Sequence, residues 1–196
     1  YIIADDIYEH IYWGTEKYSN LLTACPELRD RTILVNGVSK SYSMTGWRIG
    51  YSAAPEPIIK AMTIIQSQST TNACSISQAA AEAALMGPQT VVREMCDAFK
   101  ERHDYVVNRF NGLKGFKCRP CEGTFYAFPN IDDALNQLNY KNDMEFCEKL
   151  LEKQGVALVP GVAFGSPGHI RLSFAASLPT LKKALDRIEI FINKIN

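Results

Sequence analysis

Short apolar runs separated by longer polar or mixed segments characterise the first 54 residues of the chain. Residues 1–4, 32–35 and 48–53 are rich in β-branched and aromatic side chains, which favour strands. The segments between these runs are long for hairpins, whereas parallel strands require long crossovers. The pattern therefore predicts three strands of an α/β sheet, joined by crossovers more than by hairpins.

A helical period replaces this pattern from residue 55 onward. Residues 55–86 carry apolar positions at helical spacing and are interrupted by a polar segment at 67–75, which predicts two helices around a loop. Gly87 and Pro88 then end one helix and begin the next, because proline is favoured in the first helical turn. The apolar positions that follow predict one long helix, and they are Val91, Val92, Met95, Phe99, Val106, Phe110 and Leu113.

The pattern changes again after Gly115, where a smaller α+β unit begins. Strands are predicted at 124–128, 156–159 and 169–174, and two helices are predicted from apolar residues at helical spacing. These residues are Met144, Cys147, Leu150 and Leu151 in the first helix and Leu181, Leu185, Ile188 and Ile192 in the second.

The long helix is of a length that can join two domains. We therefore expect residues 1–88 to belong to a larger domain, residues 89–114 to form a connecting helix, and residues 115–196 to form a small domain.

The composition is that of a globular protein with balanced charge. Hydrophobic residues make up 46% of the 196 residues, and 21 Lys and Arg balance 21 Asp and Glu. Because there is no basic excess, we expect a small neutral or zwitterionic partner and no nucleic acid. No run reaches the roughly 18 apolar residues that a membrane span needs, and the N-terminus lacks signal-peptide regions. No membrane association and a cytoplasmic location are expected.

Six cysteines are scattered through apolar segments, which in a chain of this size indicates reduced thiols. Cys118 and Cys121 form a C-x-x-C pair that could bind metal or undergo redox chemistry. A zinc site would need a second Cys or His pair nearby, and the sequence offers none. No metal site is therefore expected.

A hydroxyl-rich loop carries Lys40 and leads to Arg48. In an extended chain these residues would lie about 26 Å apart, too far for one small ligand. The intervening residues that favour turns are Ser41, Ser43, Thr45 and Gly46. If the loop folds back, Arg48 offers a fork of donors for phosphate or carboxylate, and a desolvated Lys40 can act as a nucleophile. Taken alone, a solvated loop with ordinary surface charges explains the segment better.

Asp5 and Tyr8 follow the first apolar run. The two side chains would face opposite sides of a strand but the same side of a turn, and the polar residues from Asp5 onward favour a bend. The carboxyl end of a parallel strand is where α/β folds place their ligands. By itself, the pattern is more typical of a helix cap followed by a packed tyrosine.

Arg171 lies in the sequence HIRLSF, near the end of the chain. Ile170, Leu172 and Phe174 alternate on one face of the predicted strand and leave Arg171 on the other. An arginine there can bind a carboxylate through two parallel hydrogen bonds. An arginine on the solvated face of an antiparallel strand is the commoner explanation for the pattern alone.

Taken together, the motifs resemble those of the class I pyridoxal-phosphate aminotransferases of the aspartate and aromatic type. The matching segments are ADDIYEH, NGVSKSYSMTGWRIGY, EGTFYAFP and VPGVAFG followed by HIRLSF. The resemblance covers essentially the whole chain and corresponds to the C-terminal half of such an enzyme. It implies an α/β fold of the pyridoxal-phosphate transferase type I, with part of the large domain, which has a mixed or parallel sheet, and the small C-terminal α+β domain.

The resemblance also implies roles for individual residues. Lys40 matches the lysine that holds pyridoxal 5'-phosphate covalently and acts as general base, and Asp5 matches the carboxylate paired with the pyridine nitrogen. Tyr8 matches the phenol that donates to the ring 3-oxygen. The phosphate is assigned to Arg48, with help from Ser39. Arg171 matches the arginine that binds the substrate α-carboxylate.

The implied activity is transfer of an amino group between an amino acid, aspartate or an aromatic one, and a 2-oxo acid, in a homodimer with a role in amino acid metabolism and biosynthesis. A pyridoxal-phosphate lyase on the same scaffold and a non-catalytic fragment remain alternatives. The family often has a phosphate-binding serine three residues before the lysine, where this chain has Gly37. Because the upstream half of the pocket is missing from the sequence, we expect the chain alone to be weakly active or inactive.

Overall fold

The chain divides into two units, Tyr1–Cys96 and Asp97–Asn196, in a computed structural model that describes residues 1–193. The division falls inside one long helix, Thr90–Asn111. The domain limits at 88 and 114 that were inferred from the sequence stay a prediction.

A three-stranded sheet forms the centre of the first unit, in the order β1-β2-β3. β1 and β2 are parallel, as predicted, and Asp5 lies opposite Val35 in their register. β2 and β3 are antiparallel, so the expectation of parallel pairing was wrong for the third strand. The connection before β3 makes tight turns and contains no crossover helix, so the chain returns along the same edge. The strands are β1 (Ile2–Asp5), β2 (Thr32–Gly37) and β3 (Gly50–Ala53).

Three α-helices lie between residues 21 and 86, and they bury little of their own surface. The two helices predicted between residues 55 and 86 are present, and the loop between them is limited to residues 70–74. α2 has no buried residue, and its apolar positions Met62 and Ile65 are 42% and 70% exposed. The apolar positions that predicted this helix are therefore not buried within the described chain. The helices are α1 (Leu21–Ala24), α2 (Glu56–Ser69), α3 (Ser75–Met86) and α4 (Thr90–Asn111), with 3₁₀ turns at Pro26–Arg31 and Thr45–Trp47.

The second unit contains an antiparallel sheet in the order β4-β6-β5. Strands occur close to the three predicted places but are shorter than predicted. Thr124 has a positive φ of 65°, which breaks the first predicted strand near its start. Residues 170–174 alternate between buried and more exposed, as the sequence predicted. The strands are β4 (Tyr126–Ala127), β5 (Val159–Pro160) and β6 (Ile170–Ser173), and a 3₁₀ turn at Gly161–Phe164 follows β5.

Both helices predicted for this unit are confirmed. Asn142 caps the start of the first, and Gly155 ends it in the left-handed conformation with φ 65°. A further seven-residue helix was missed, because fewer than two full turns give no readable period. The helices are α5 (Asp132–Leu138), α6 (Asp143–Gln154) and α7 (Leu178–Asn193).

The hydrophobic core is concentrated in the second unit. Phe146 is fully buried, and its ring centroid lies 6.1 Å from that of Phe116 and 5.4 Å from that of Phe191. All four predicted apolar positions of α7 are buried. In the first unit, the buried apolar side chains are Ile11, Val38, Ala81 and Val92.

Candidate functional site

Asp5 is the last residue of β1, and the chain turns directly after it. Asp5 is exposed, and its Oδ1 accepts a hydrogen bond from the Ile7 backbone N–H at 3.1 Å. The turn continues with Glu9 N–H donating to the Asp6 carbonyl at 2.9 Å. Tyr8 lies inside this turn and is half-buried. The bend that the sequence predicted is therefore present, and it carries both the carboxylate and the phenol.

Ser39 and Lys40 lie in a second turn, immediately after β2. The turn is closed by two backbone hydrogen bonds of 3.2 Å, from Tyr42 N–H to the Val38 carbonyl and from Ser43 N–H to the Lys40 carbonyl. Both Ser39 and Lys40 are half-buried. Since β1 and β2 are parallel neighbours, the two turns lie at the same edge of the sheet.

Arg48 reaches the same sheet edge from the loop before β3, the strand that pairs with β2 on the side away from β1. It comes two residues before Gly50, where β3 begins directly opposite Gly37 at the end of β2. The arginine has a left-handed backbone with φ 50°, is exposed, and donates from Nη1 to the Thr45 carbonyl at 2.7 Å. The loop thus folds back, as predicted, and brings Arg48 to the sheet edge that carries Lys40.

The space around Gly37 accounts for the absence of a larger residue at this position. A Cβ there would lie 3.2 Å from Ile7 Cδ1, Gly50 Cα and the Ile49 carbonyl oxygen. These distances are tighter than ordinary van der Waals contact. The turn after β1 and the start of β3 therefore pack closely against the end of β2, and a serine at this position would require one of these neighbours to shift.

Arg171 lies in the second unit, on β6 opposite Val159. It is half-buried, and its Cζ lies 4.3 Å from the ring centroid of Tyr126 and 4.1 Å from that of Phe164. A guanidinium over an aromatic ring gains cation–π attraction without using its N–H donors. Arg171 is thus held by two rings, which is more than an arginine on a solvated strand face would have.

Several residues that contact the candidate site were not found by sequence reasoning. Tyr126 and Phe164 were not connected with Arg171, because they come from β4 and from the turn after β5. Asn36 and Glu9 were also missed, although Asn36 Nδ2 donates to Glu9 Oε1 at 2.6 Å between the two turns of the site. A polar residue at the end of an apolar strand is the signal that could have indicated Asn36.

The Cys118 thiol is buried and the Cys121 thiol is half-buried. Burial raises the pKa of the Cys118 thiol to about 11 and also raises the pKa of the Cys121 thiol. A raised pKa leaves less thiolate near neutral pH, and the thiolate is the nucleophilic form.

Comparison with known proteins places the chain in a family. The family model described as aminotransferase class I and II matches residues 1–188. The chain belongs to this family. It therefore carries part of the type I fold of the pyridoxal-phosphate transferases, and enzymes of this family use pyridoxal phosphate as cofactor.

Individual relatives of this aminotransferase chain are similar over nearly its whole length. The aspartate/prephenate aminotransferase of Nitrosomonas europaea is 49% identical over 95% of the chain, and the aspartate aminotransferase of Bacillus subtilis is 45% identical over 98%. The crystal structure of the aspartate aminotransferase from Rhizobium meliloti superposes with a TM-score of 0.92 at 44% identity, covering 97% of the chain. The chain spans 49% of the length of each of these relatives.

Proposed function

We propose that the chain is the part of an aminotransferase that holds pyridoxal phosphate through Lys40 and binds the substrate carboxylate through Arg171. The observation that carries the proposal is the convergence of Asp5, Lys40 and Arg48 on one sheet edge. A carboxylate, an amine and a guanidinium match the ring nitrogen, the aldehyde and the phosphate of that cofactor. The phenol of Tyr8 and the hydroxyl of Ser39 supply further donors at the same edge.

Each residue has a separate task in this proposal. Bound pyridoxal phosphate supplies a ring that withdraws electrons from the substrate Cα. The Asp5 carboxylate keeps a proton on the ring nitrogen, because a nearby negative charge favours the cationic form. Lys40 Nζ would anchor the cofactor until the substrate amine takes its place, and the released amine would then take the proton from the substrate Cα and deliver it to the cofactor. Arg171 orients the substrate through its α-carboxylate, which fixes the direction of the Cα–H bond.

The relatives, and the zwitterionic ligand expected for this charge-balanced chain, support a proposal for the substrates. We propose aspartate as amino donor and a 2-oxo acid as acceptor, since aspartate aminotransferases are prominent among the relatives. Prephenate is a further acceptor to test, because the Nitrosomonas europaea relative is named for it.

Amino acid biosynthesis in the cytoplasm is the proposed context. No helix within residues 1–193 is both long and apolar enough to cross a bilayer.

A homodimer is part of the same proposal. Large apolar side chains are exposed on α2 and α3, including Ile64, Ile65, Ile76 and Met86. Exposed apolar surface of this kind is typical of sites that another protein surface covers. Sedimentation velocity on the product of the complete reading frame tests this, and a monomer at micromolar concentration would contradict it.

The test of function is to locate the cofactor on the protein. The product of the complete reading frame is mixed with pyridoxal phosphate, reduced with borohydride and digested, and the labelled lysine is identified by mass spectrometry. The label is expected on Lys40 and is expected to be lost in Lys40→Ala. The matched control is Lys60→Ala on α2, where Lys60 forms an exposed ion pair with Glu56. A label that persists in Lys40→Ala, or sits on another lysine, would overturn the proposal.

The same preparation tests the expectation for the chain by itself. Aspartate-dependent turnover by residues 1–196 is expected to be at least about a hundredfold below that of the complete product, because incomplete positioning of reacting groups costs that much. Equal turnover by both proteins would show that the chain needs no other part of the pocket.

A further inference from the structure

One buried hydrogen bond links the two turns that carry the candidate site. Asn36 is 6% exposed, and its Nδ2 donates to Glu9 Oε1 at 2.6 Å. The other end of the same amide is also used, because Asn36 Oδ1 accepts from the Gly37 N–H at 2.7 Å. The amide therefore connects the turn after β1 with the backbone at the end of β2.

The position of this bond in the sheet is specific. Asp5 opposite Val35 is the last pair of the parallel ladder, so β2 continues beyond the end of β1 at Asn36. At that point the ladder between the two strands is replaced by the side-chain bond from Asn36 to Glu9. Glu9 is adjacent to Tyr8 and four residues after Asp5, and Asn36 is four residues before Lys40. The bond thus joins the turn that carries Asp5 and Tyr8, which are assigned to the cofactor ring, to the strand that leads into the Lys40 turn.

The charge of Glu9 also acts on the loop that contains Lys40. The pKa of Tyr42 is raised, mainly by burial and also by the negative charge of Glu9, and Tyr42 is two residues beyond Lys40. The pKa of Tyr51, which lies opposite Asn36 on β3, is raised by the same two causes. Packing adds to the link, since Ile7 Cδ1 lies against the backbone at Gly37.

We propose that Glu9 and Asn36 are positioning residues that fix the Asp5–Tyr8 turn relative to the Lys40 turn through their shared hydrogen bond. This inference rests on the proposed function, because it concerns the alignment of the groups that hold pyridoxal phosphate. Neither side chain needs to touch the cofactor. The backbone hydrogen bond from the Asp6 N–H to the Val35 carbonyl at 2.9 Å holds the start of the first turn against β2, and the Asn36–Glu9 bond fixes its far end. Small displacements of reacting groups are costly, so loss of this second link should impair how well one ligand meets both turns.

Reversing the polarity of the bond tests the proposal. In Asn36→Asp the new carboxylate faces Glu9, so the bond becomes a repulsion while the acceptor for Gly37 N–H remains. In the double variant Glu9→Gln with Asn36→Asp, the amide introduced at position 9 can donate to the carboxylate at position 36 and restore the link. Glu9→Gln alone keeps a neutral acceptor and should have the smaller effect.

The measurements are the dissociation constant for pyridoxal phosphate, the fraction of borohydride label on Lys40 and the midpoint of thermal unfolding, all on the product of the complete reading frame. Asn36→Asp is expected to weaken cofactor binding by about tenfold or more and to reduce the label, as loss of a charge-assisted bond predicts. The double variant is expected to recover most of the cofactor affinity and most of the label.

The matched control is Asn111→Asp, which alters an amide that is bonded at both ends to the Cys118 backbone in the other unit. It is expected to lower the unfolding midpoint and leave the dissociation constant unchanged.

Each outcome either supports or overturns the positioning role of Glu9 and Asn36. Wild-type binding by Asn36→Asp, or a double variant no better than Asn36→Asp, would overturn the positioning role and leave the proposed function intact. A wild-type protein without label on Lys40 would overturn both. If Asn36→Asp does not fold, Glu9→Ala replaces it, and equal cofactor binding by Glu9→Ala and Glu9→Gln would then reject the role.

Discussion

Arg171 is held by ring contacts, and this predicts how a conservative substitution will behave. Lysine at this position keeps the charge and loses the planar fork that binds a carboxylate through two hydrogen bonds. We expect Arg171→Lys in the product of the complete reading frame to raise the KM for aspartate by about ten- to a hundredfold, the value of a charge-assisted hydrogen bond.

The control for that measurement is Arg187→Lys in the same unit. Arg187 donates from Nη1 to the Gln154 carbonyl at 3.1 Å, where it supports the end of α6. Its substitution is expected to leave the KM unchanged. A KM for Arg171→Lys within about twofold of wild type, well below the value of such a bond, would remove Arg171 from the carboxylate site.

The cysteines differ in environment, and their reactivity should differ accordingly. Cys74 is exposed and directly precedes α3, and the nearby backbone N–H groups of Ser77 and Ile76 lower the pKa of its thiol. Cys147 is buried, and burial raises the pKa of its thiol to about 12. Because the thiolate is the nucleophile, Cys74 is expected to react first with Ellman's reagent on residues 1–196.

The lowered pKa of Cys74 also predicts how the rate of its reaction with Ellman's reagent depends on pH. As the pH falls from about 9 to about 7, the rate at Cys74 should fall less than for a free thiol, since its pKa lies below the ordinary value. The fast phase should disappear in Cys74→Ser. A fast phase that survives this substitution would assign it to a different cysteine.

Among the elements, α6 shows how local sequence defines a helix. Asn142 Oδ1 accepts from the Glu145 N–H at 2.9 Å, and Glu145 Oε2 accepts from the Lys141 N–H at 2.7 Å. Replacing a side-chain cap of this type with alanine costs about 1 kcal/mol. We expect Asn142→Ala to lower the unfolding midpoint of residues 1–196 by about 2 to 4 °C, measured by circular dichroism.

Glu148→Ala, an exposed position on the same helix, is the control for the cap and should shift the midpoint much less. Equal shifts for the two variants would mean that α6 is held by its buried face alone. That face contains Phe146, Cys147 and Leu150, all buried.

At the same scale, sequence patterns located elements better than they predicted pairing. α4 was predicted from its period, and it runs from Thr90 to Asn111. The antiparallel pairing of β3 was not predicted, because strand direction depends on where a loop returns and not on the residues of the strand. The apolar period of α2 predicted the helix but not the exposure of its apolar side chains.

The two units of the whole chain differ in how much core they contain, and this predicts different stability. Nearly all of the buried apolar side chains among the described residues belong to the unit that begins at Asp97. Folding requires apolar burial to offset lost conformational entropy. We expect residues 90–196, which keep α4 whole, to unfold cooperatively in urea, and residues 1–96 alone to show no cooperative transition.

Fluorescence and circular dichroism followed in parallel provide the measurement, since coincident curves indicate a two-state transition. Phe110→Ala, at a fully buried position, should destabilise the 90–196 fragment by about 3 kcal/mol or more. A cooperative transition for residues 1–96 would mean that the small core around Val38 is sufficient.

The sequence by itself determined the helices with clear periods and caps, the alternation along β6, and the motif residues Asp5, Lys40 and Arg48. These features depend on residues close together in the chain, so local patterns encode them. The tertiary structure decided the direction of β3, the bond between Asn36 and Glu9, which are 27 positions apart, and the rings that hold Arg171. Such contacts depend on which distant segments meet, and that is set by how the whole chain packs and not by the pattern of any one segment.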